Sequence, residues 1–346
     1  SIYNYLQVKN LSDRTILSTN VLFGVQSVTM KDKGLTGMYY DTALAAPALA
    51  DNANSALILG MGTGTYARQL KQYYPKMNIT GVEIDQKITD LAGEYFDEPA
   101  DIPVTTYDGR AWLAASHDKY DVIMVDAYQD ITIPFQMSST EFFTMVREHL
   151  NPGGVMVVNM NMISDGQGSI NEALSDTIAS VFGNGNTLTA DVPNTTNREL
   201  FAKKPGSGSE ENSMQQASKA LNLRETTYER TGSEDLEWYM EEVASRFRKV
   251  NEPDSASTIL TDDKAPVEVL GMHAIDQIIA DEAGPYRQIL KDEGLRRSAA
   301  RRAVGSTHGP RMSGRMVDFL FGLRNQESGA TPTWKPFKAS GSRQTA

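Results

Sequence analysis

From residue 56 to residue 203, short apolar runs alternate with helix-like segments, and this alternation constrains the fold more than any other feature. The candidate strands are 56–59, 79–83, 104–107, 120–126 and 154–159, with 187–192 and 198–203 as a closing pair. The predicted helices are 65–74, a segment after Asp85, 140–150 and 167–182. Strands separated by helices of about 10–15 residues pair in parallel through right-handed crossovers. The sequence therefore predicts a doubly wound α/β sheet, whose ligands bind at the carboxyl ends of its strands.

The segments that flank this alternation have different patterns. Residues 1–38 alternate apolar and polar residues between turns, which predicts a small antiparallel β domain. An Ala-rich helix at 40–50 then opens an α/β domain spanning 39–203, and we expect a linker and a helical extension over 204–295. Residues 296–346 are basic and rich in Gly and Ser, without a sustained period, which predicts a disordered tail.

Charge is distributed unevenly along the chain. The net charge is −11, yet ten Lys and Arg residues after Leu295 face only two acidic residues, so the first 295 residues carry −19. Such an acidic body suits cationic ligands and disfavours nucleic acid, although acidity can also serve solubility alone. The absence of Cys excludes thiol chemistry, four His residues disfavour a metal cluster, and no run approaches the ~18 apolar residues of a membrane span.

A glycine turn joins the first strand of the alternation to its helix. Gly60, Gly62 and Gly64 have the spacing GxGxG, whereas the dinucleotide fingerprint GxGxxG needs glycine at the position of Thr65. The pattern favours a nucleoside derivative of methionine over NAD, although a tight turn also uses glycine for steric reasons. Glu83 ends the second strand, where a carboxylate can accept hydrogen bonds from both ribose hydroxyls.

Two further acidic residues end strands at the same predicted edge. Asp108, followed by Gly109, could bind the adenine amino group or cap the next helix, and both interpretations stay open. Asp126 ends the apolar run 121–125, which would place its carboxylate in the ligand crevice. A carboxylate there can hold an ammonium group and accept the proton that an amine must lose before it attacks a sulfonium carbon.

In order and spacing, these motifs resemble those of the spermidine synthase (polyamine aminopropyltransferase) family, in a divergent form. The resemblance covers about residues 1–203 and rests on Gly81-Val82-Glu83-Ile84-Asp85, Tyr107-Asp108-Gly109 and the run from Tyr120 to Asp126. It implies a class I methyltransferase-like (Rossmann-like) fold that binds decarboxylated S-adenosylmethionine without a metal. The implied nucleoside contacts are Gly60, Gly62, Gly64, Glu83, Asp108 and Gly109; Asp126 would serve the attacking amine, and Tyr39, Tyr128 and Asp130 would line its site.

The resemblance implies aminopropyl transfer to a diamine such as putrescine, with release of methylthioadenosine. The chain departs from the family pattern at Thr63 and Gln129, where the family has acidic residues, and at Ala45, where it has histidine. The family's late tyrosine falls at Asn194 or Thr195. Two alternatives therefore stay open: a non-catalytic adenosyl-nucleoside-binding domain for sensing or assembly, and an S-adenosylmethionine-dependent methyltransferase.

The resemblance also sets expectations for assembly and location. We expect a homodimer or homotetramer that acts on a small-molecule diamine. We expect it in the cytoplasm, or on the cytoplasmic face of the membrane if a membrane segment lies upstream of Ser1, as in spermidine synthase-like domains fused behind such a segment.

Overall fold

Two β-sheets organise the protein in a computed structural model, which describes residues 1–20, 25–32, 34–127, 133–160, 168–206, 213–255 and 257–272. The first sheet is antiparallel, with the order β1-β2-β3. Its strands are Leu6–Asn10 (β1), Arg14–Thr19 (β2) and Ser27–Met30 (β3). The small antiparallel β domain predicted from the alternation is confirmed, while its boundary at residue 38 stays a prediction, as do the other domain boundaries.

The second sheet has eight strands. They are Ser55–Leu59 (β4), Asn78–Glu83 (β5), Val104–Thr106 (β6), Tyr120–Val125 (β7), Leu150–Met160 (β8), Thr187–Asp191 (β9), Arg198–Lys203 (β10) and Phe247–Lys249 (β11). Their spatial order is β11-β9-β10-β8-β7-β4-β5-β6. The five neighbouring strands β8, β7, β4, β5 and β6 pair in parallel, and β10 pairs antiparallel with both β8 and β9. The predicted methyltransferase-like doubly wound sheet is confirmed, and its order reverses between β4 and β7, where such folds bind ligands.

Ten α-helices with both ends among the described residues accompany these strands, and a further helix covers residues 267–272. The ten are Tyr39–Ala43 (α1), Ala45–Leu49 (α2), Thr65–Tyr73 (α3), Gln86–Tyr95 (α4), Gly109–Ala115 (α5), Thr140–His149 (α6), Ile170–Phe182 (α7), Ser213–Ala217 (α8), Ala220–Thr231 (α9) and Glu234–Arg246 (α10). None of the described helices is long and apolar enough to span a bilayer.

The central strands bury both faces, because side chains alternate between two hydrophobic clusters. Ile58, Met124 and Val157 point to one cluster, which α1–α3 and α8–α10 cover. Leu57 and Val125 point to the other, which α5–α7 cover. A residue's position along a strand therefore decides which set of helices it contacts.

The predicted helix at 40–50 is two short helices instead of one. Pro47 has no backbone N–H to donate to the carbonyl of Ala43, four residues earlier. That carbonyl instead accepts a hydrogen bond of 3.0 Å from the Tyr66 hydroxyl. A tertiary contact thus replaces the missing helical bond where the two helices meet.

The predicted helical extension at 204–295 also contains a strand. Residues 247–249 form β11, which pairs antiparallel with β9. The ring of Phe247 packs edge-on against Phe201, with 5.6 Å between ring centroids. The open edge of β9 decides this conformation, and a three-residue strand has no periodicity that reveals it.

Several predicted features fall outside the described residues. They are Tyr128, Gln129 and Asp130, part of the linker that follows residue 203, the helical extension beyond residue 272, and the basic tail at 296–346.

Candidate nucleoside and amine site

A cavity lies at the carboxyl ends of β4, β5 and β7, where the strand order of the large sheet reverses. Loops after these strands and residues of the N-terminal sheet form its walls. The lining includes Tyr3, Asn4, Thr19, Gln26, Ser27, Gly60, Met61, Gly62, Glu83, Tyr107, Asp108, Gly109, Asp126, Ala127, Pro134, Gln136 and Met137. All of the predicted nucleoside residues except Gly64 are in this list, and so is Asp126.

The glycine turn needs glycine for both conformation and space. Gly60, Gly62 and Gly64 have φ values of +88°, +56° and +77°, in the left-handed region that side chains disfavour. A Cβ atom on Gly60 would lie 2.4 Å from the carbonyl oxygen of Asp126. The turn after β4 therefore packs directly against the backbone that follows β7.

Glu83 is held in place by the backbone of the glycine turn. Its Oε2 accepts a hydrogen bond of 2.8 Å from the Gly62 N–H, and its Oε1 accepts one of 3.0 Å from the Asp85 N–H. The side chain is buried, and burial raises the pKa of its carboxyl, although these backbone N–H groups oppose the rise. Each carboxylate oxygen keeps a lone pair for a further donor.

Asp108 caps the next helix, which is one of the two interpretations that its sequence position allowed, and its contact with adenine stays a prediction. Its Oδ1 accepts a hydrogen bond of 2.7 Å from the Ala111 N–H, which caps the N-terminus of α5. The residue also lines the cavity, with Gly109 beside it. Capping thus fixes the position of the carboxyl at the cavity wall.

Asp126 follows β7 and receives two hydrogen bonds. Its Oδ2 accepts one of 2.5 Å from the Tyr39 hydroxyl, and its Oδ1 accepts one of 2.9 Å from the Asn159 amide. Asn159 is fixed in turn by the Asn197 amide, at 2.8 Å. Burial raises the pKa of Asp126 to about 7, a rise that the two hydrogen bonds oppose and the charge of Glu83 reinforces.

Tyr39 donates the hydrogen bond that Asp126 accepts on Oδ2. It begins α1 and is buried between this helix and the large sheet. Burial, together with the charge of Asp126, raises the pKa of its hydroxyl well above the usual range. The hydroxyl therefore stays protonated and donates to Asp126.

Asn159 and Asn197 were missed by sequence reasoning. Asn159 follows the apolar run 155–158 on β8, and a polar residue that ends such a run was the available signal. Asn197 precedes β10 and has no comparable signal, because its role depends on antiparallel pairing between β8 and β10.

Comparison with known proteins identifies the domain that contains this site. Residues 38–204 match the family described as the spermine/spermidine synthase domain. The matched residues make up just under half of the chain.

Curated proteins to which the chain is similar are named polyamine aminopropyltransferases. The chain is 37% identical to one from Corynebacterium efficiens over 131 residues, which are 34% of this chain and 25% of that protein. It is 32% identical to one from Alkaliphilus metalliredigens over 143 residues, which are 39% of this chain and 49% of that protein. The chain therefore spans half or less of the length of these two relatives.

Solved structures show the same fold. A probable spermidine synthase from Corynebacterium glutamicum aligns with a TM-score of 0.52 at 21% identity, over 74% of this chain and 95% of that one. A spermidine synthase in complex with the transition state analogue AdoDATO aligns with a TM-score of 0.52 at 17% identity, over 73% and 82% of the two chains.

Of the positions that depart from the spermidine synthase pattern, the described ones, Thr63, Ala45, Asn194 and Thr195, are not among the residues that line the cavity. Thr63 is buried, and its hydroxyl has no hydrogen-bond partner within the described ranges. Ala45 is buried at the start of α2, and Asn194 and Thr195 lie in the turn between β9 and β10. Of the predicted amine-binding residues, only Tyr39 is among the described residues.

A second acidic residue lies near the glycine turn, and sequence analysis missed it. A Cβ atom on Gly64 would lie 3.1 Å from Cγ of Glu98. Burial raises the pKa of Glu98 to about 7, and the charge of Glu83 adds to the rise. Within the described ranges, no group of three or more His, Cys, Asp and Glu residues could hold a metal ion.

Proposed function

We propose that this protein transfers the aminopropyl group of decarboxylated S-adenosylmethionine to a diamine such as putrescine and releases methylthioadenosine. The observation that carries this proposal is the position of the Asp126 carboxyl. This carboxyl lines the nucleoside cavity on one side and accepts hydrogen bonds from Tyr39 and Asn159 on the other. The similarity to proteins named polyamine aminopropyltransferases supports the same reaction.

The nucleoside would lie across the carboxyl ends of β4 and β5. The glycine turn lets the ligand approach the backbone closely. Glu83, oriented by two backbone N–H groups, would accept both ribose hydroxyls, and Asp108 would accept the adenine amino group. This placement directs the sulfonium and its propyl chain towards Asp126, at the end of the adjacent strand β7.

The reaction would be a direct displacement at the propyl carbon bonded to sulfur. The amine nitrogen donates its lone pair to that carbon, and the carbon–sulfur bond breaks. The bonding pair returns to sulfur, which becomes the neutral thioether of methylthioadenosine. The nitrogen must first lose a proton, and Asp126 accepts it.

The environment of Asp126 suits a general base. A base works best when its pKa lies near the working pH, and burial raises the pKa of this carboxyl to about 7. The Tyr39 and Asn159 hydrogen bonds fix the direction of its oxygens. Because there is no covalent step on the protein, catalysis would come from the alignment of amine and sulfonium and from the negative charge beside the amine.

The test is to incubate the protein with decarboxylated S-adenosylmethionine and putrescine and to measure spermidine and methylthioadenosine by mass spectrometry. We expect both products in equal amounts. Parallel calorimetric titrations with methylthioadenosine and S-adenosylmethionine measure nucleoside binding separately. Nucleoside binding without product would contradict the proposal in favour of a binding domain, and a methylated amine formed from S-adenosylmethionine would indicate a methyltransferase.

A further inference from the structure

Glu199 is a buried acid that the reaction described above does not use. It lies inside β10 with 0% of its surface exposed. Both of its carboxyl oxygens are buried and lack a hydrogen-bond partner among the described residues. A buried polar group without a hydrogen-bond partner destabilises a fold. Most buried polar groups in proteins therefore have a partner. The carboxyl of Glu199 therefore needs a donor that the described residues do not supply.

Strand register places Glu199 beside the amine site. Glu199 pairs directly with Asn159 across β10 and β8, so both side chains leave the same face of the sheet with their Cβ atoms about 5 Å apart. Asn159 donates its amide hydrogen to Asp126. The carboxyls of Glu199 and Asp126 are thus separated by one asparagine side chain.

Asp126, Asn159 and Glu199 follow one another in this order away from the nucleoside cavity. Asp126 lines the nucleoside cavity, whereas Asn159 and Glu199 do not. Glu199 therefore lies beyond Asp126 as seen from the nucleoside. An amine with its reacting nitrogen at Asp126 would extend away from the sulfonium, towards Glu199.

The charges of this region favour a cation. The ion pairs among the described residues include neither Asp126 nor Glu199. Burial raises the pKa of Glu199 well above its usual range, and the charge of Asp126 raises it further. A second positive charge from a ligand would offset this repulsion, and an ammonium group carries three donors for the vacant oxygens.

We propose that Glu199 accepts the second, non-reacting ammonium of the acceptor and thereby selects diamines over monoamines. This assignment rests on the proposed function, because it uses Asp126 as the position of the reacting nitrogen. Glu199 would be a specificity-determining residue, because it binds the non-reacting nitrogen of the substrate and not the nitrogen that forms the new bond.

The test compares the unmodified protein and the Glu199→Gln variant, each with two substrates. Putrescine carries two ammonium groups, and 1-aminobutane has the same carbon chain with one. We expect Glu199→Gln to lower kcat/KM for putrescine at least about 10-fold and to leave kcat/KM for 1-aminobutane unchanged. The affinity for methylthioadenosine should not change. Equal losses with both amines would overturn the proposal, because they would indicate a general disturbance of the site.

A matched control is Asp176→Asn. Asp176 is also a buried acid whose pKa is raised by burial, but it lies on α7, which packs on the opposite face of the sheet. This variant should keep the preference of the unmodified protein for putrescine over 1-aminobutane. A loss of that preference in the control would also count against the proposal.

A binding measurement separates this proposal from the proposed function. Putrescine is titrated calorimetrically into protein saturated with methylthioadenosine. If the unmodified protein binds putrescine and Glu199→Gln binds it at least about 10-fold more weakly, the Glu199 site stands even when no transfer is detected. Equal affinities, or no binding by the unmodified protein, would overturn it.

A second variant covers the case in which Glu199→Gln does not fold. Glu199→Asp keeps the carboxyl and withdraws it by one methylene group. We expect the preference between diamines to move from putrescine towards 1,5-diaminopentane, which is longer by one methylene group. An unchanged ratio of kcat/KM for the two diamines would contradict the assignment.

Discussion

Replacing Asp126 with asparagine should separate nucleoside binding from group transfer. In the structure, Asp126 accepts one hydrogen bond from Asn159 and one from Tyr39. An asparagine oxygen can still accept from Asn159, and its amide can donate to the Tyr39 hydroxyl, which is able to rotate. Both contacts survive, and a buried acid is removed, so we expect a melting temperature equal to or above that of the unmodified protein.

The expected loss of activity follows from the removal of the proton acceptor. A positioned base contributes about 10²–10⁴-fold to the rate, and each factor of ten corresponds to about 1.4 kcal/mol of activation free energy. Asp126→Asn should therefore reduce kcat for putrescine at least about 10²-fold, or about 2.7 kcal/mol. The unmodified enzyme should also gain activity as the pH rises through about 7, where the Asp126 carboxyl ionises, and the variant should lack this increase.

The assay combines initial rates of methylthioadenosine release between pH 5.5 and 8.5 with calorimetric titration of methylthioadenosine. A melting curve for each protein controls for folding. Retention of more than about a tenth of the activity by a folded variant would refute the assignment of Asp126 as the base. A parallel loss of nucleoside affinity would place Asp126 on the nucleoside instead of the amine.

Three further outcomes are expected. Tyr39→Phe removes a hydrogen bond that stabilises ionised Asp126, so the rise of activity with pH should move up by about one pH unit; an unmoved profile would exclude that coupling. Glu83→Gln replaces one accepting oxygen with a donor that faces a backbone N–H such as that of Gly62, and methylthioadenosine should bind about 1–3 kcal/mol more weakly by calorimetry. Unchanged affinity would remove Glu83 from the site. Burial raises the pKa values of Asp126 and Glu98 to about 7, so the ligand-free folded state binds more protons than the unfolded state between about pH 4 and pH 7. The stability that these two groups add is complete below about pH 4 and is lost as the pH rises through 7. The urea concentration at the midpoint of unfolding should therefore fall from pH 5 to pH 8, and a midpoint that does not fall would contradict this prediction.

The sequence predicted the order of strands and helices because both have a periodic pattern of burial. β4, β5 and β7 were located within one or two residues, since each is an apolar run bounded by turn residues. The break at Pro47 and the strand β11 were missed. In both places a partner distant in sequence, the Tyr66 hydroxyl or the edge of β9, decides the local conformation.

The clustering of the residues that we propose for the nucleoside and the amine could be predicted from the sequence by itself. Gly60, Glu83, Asp108 and Asp126 each end a strand or open the following turn. The carboxyl ends of parallel strands meet at one edge of a sheet, so these residues come together in any fold with this alternation. Their position at one edge of the sheet follows from the order of strands and helices along the chain, which can be read from the sequence.

The surroundings of Asp126 were decided only by the tertiary structure. Tyr39 meets Asp126 across 87 positions of sequence, and Asn159 and Glu199 are joined by the register of two antiparallel strands. A shift of one residue in that register would turn a side chain to the other face of the sheet. Register depends on how all the core side chains pack at once, and no local pattern around Glu199 encodes it.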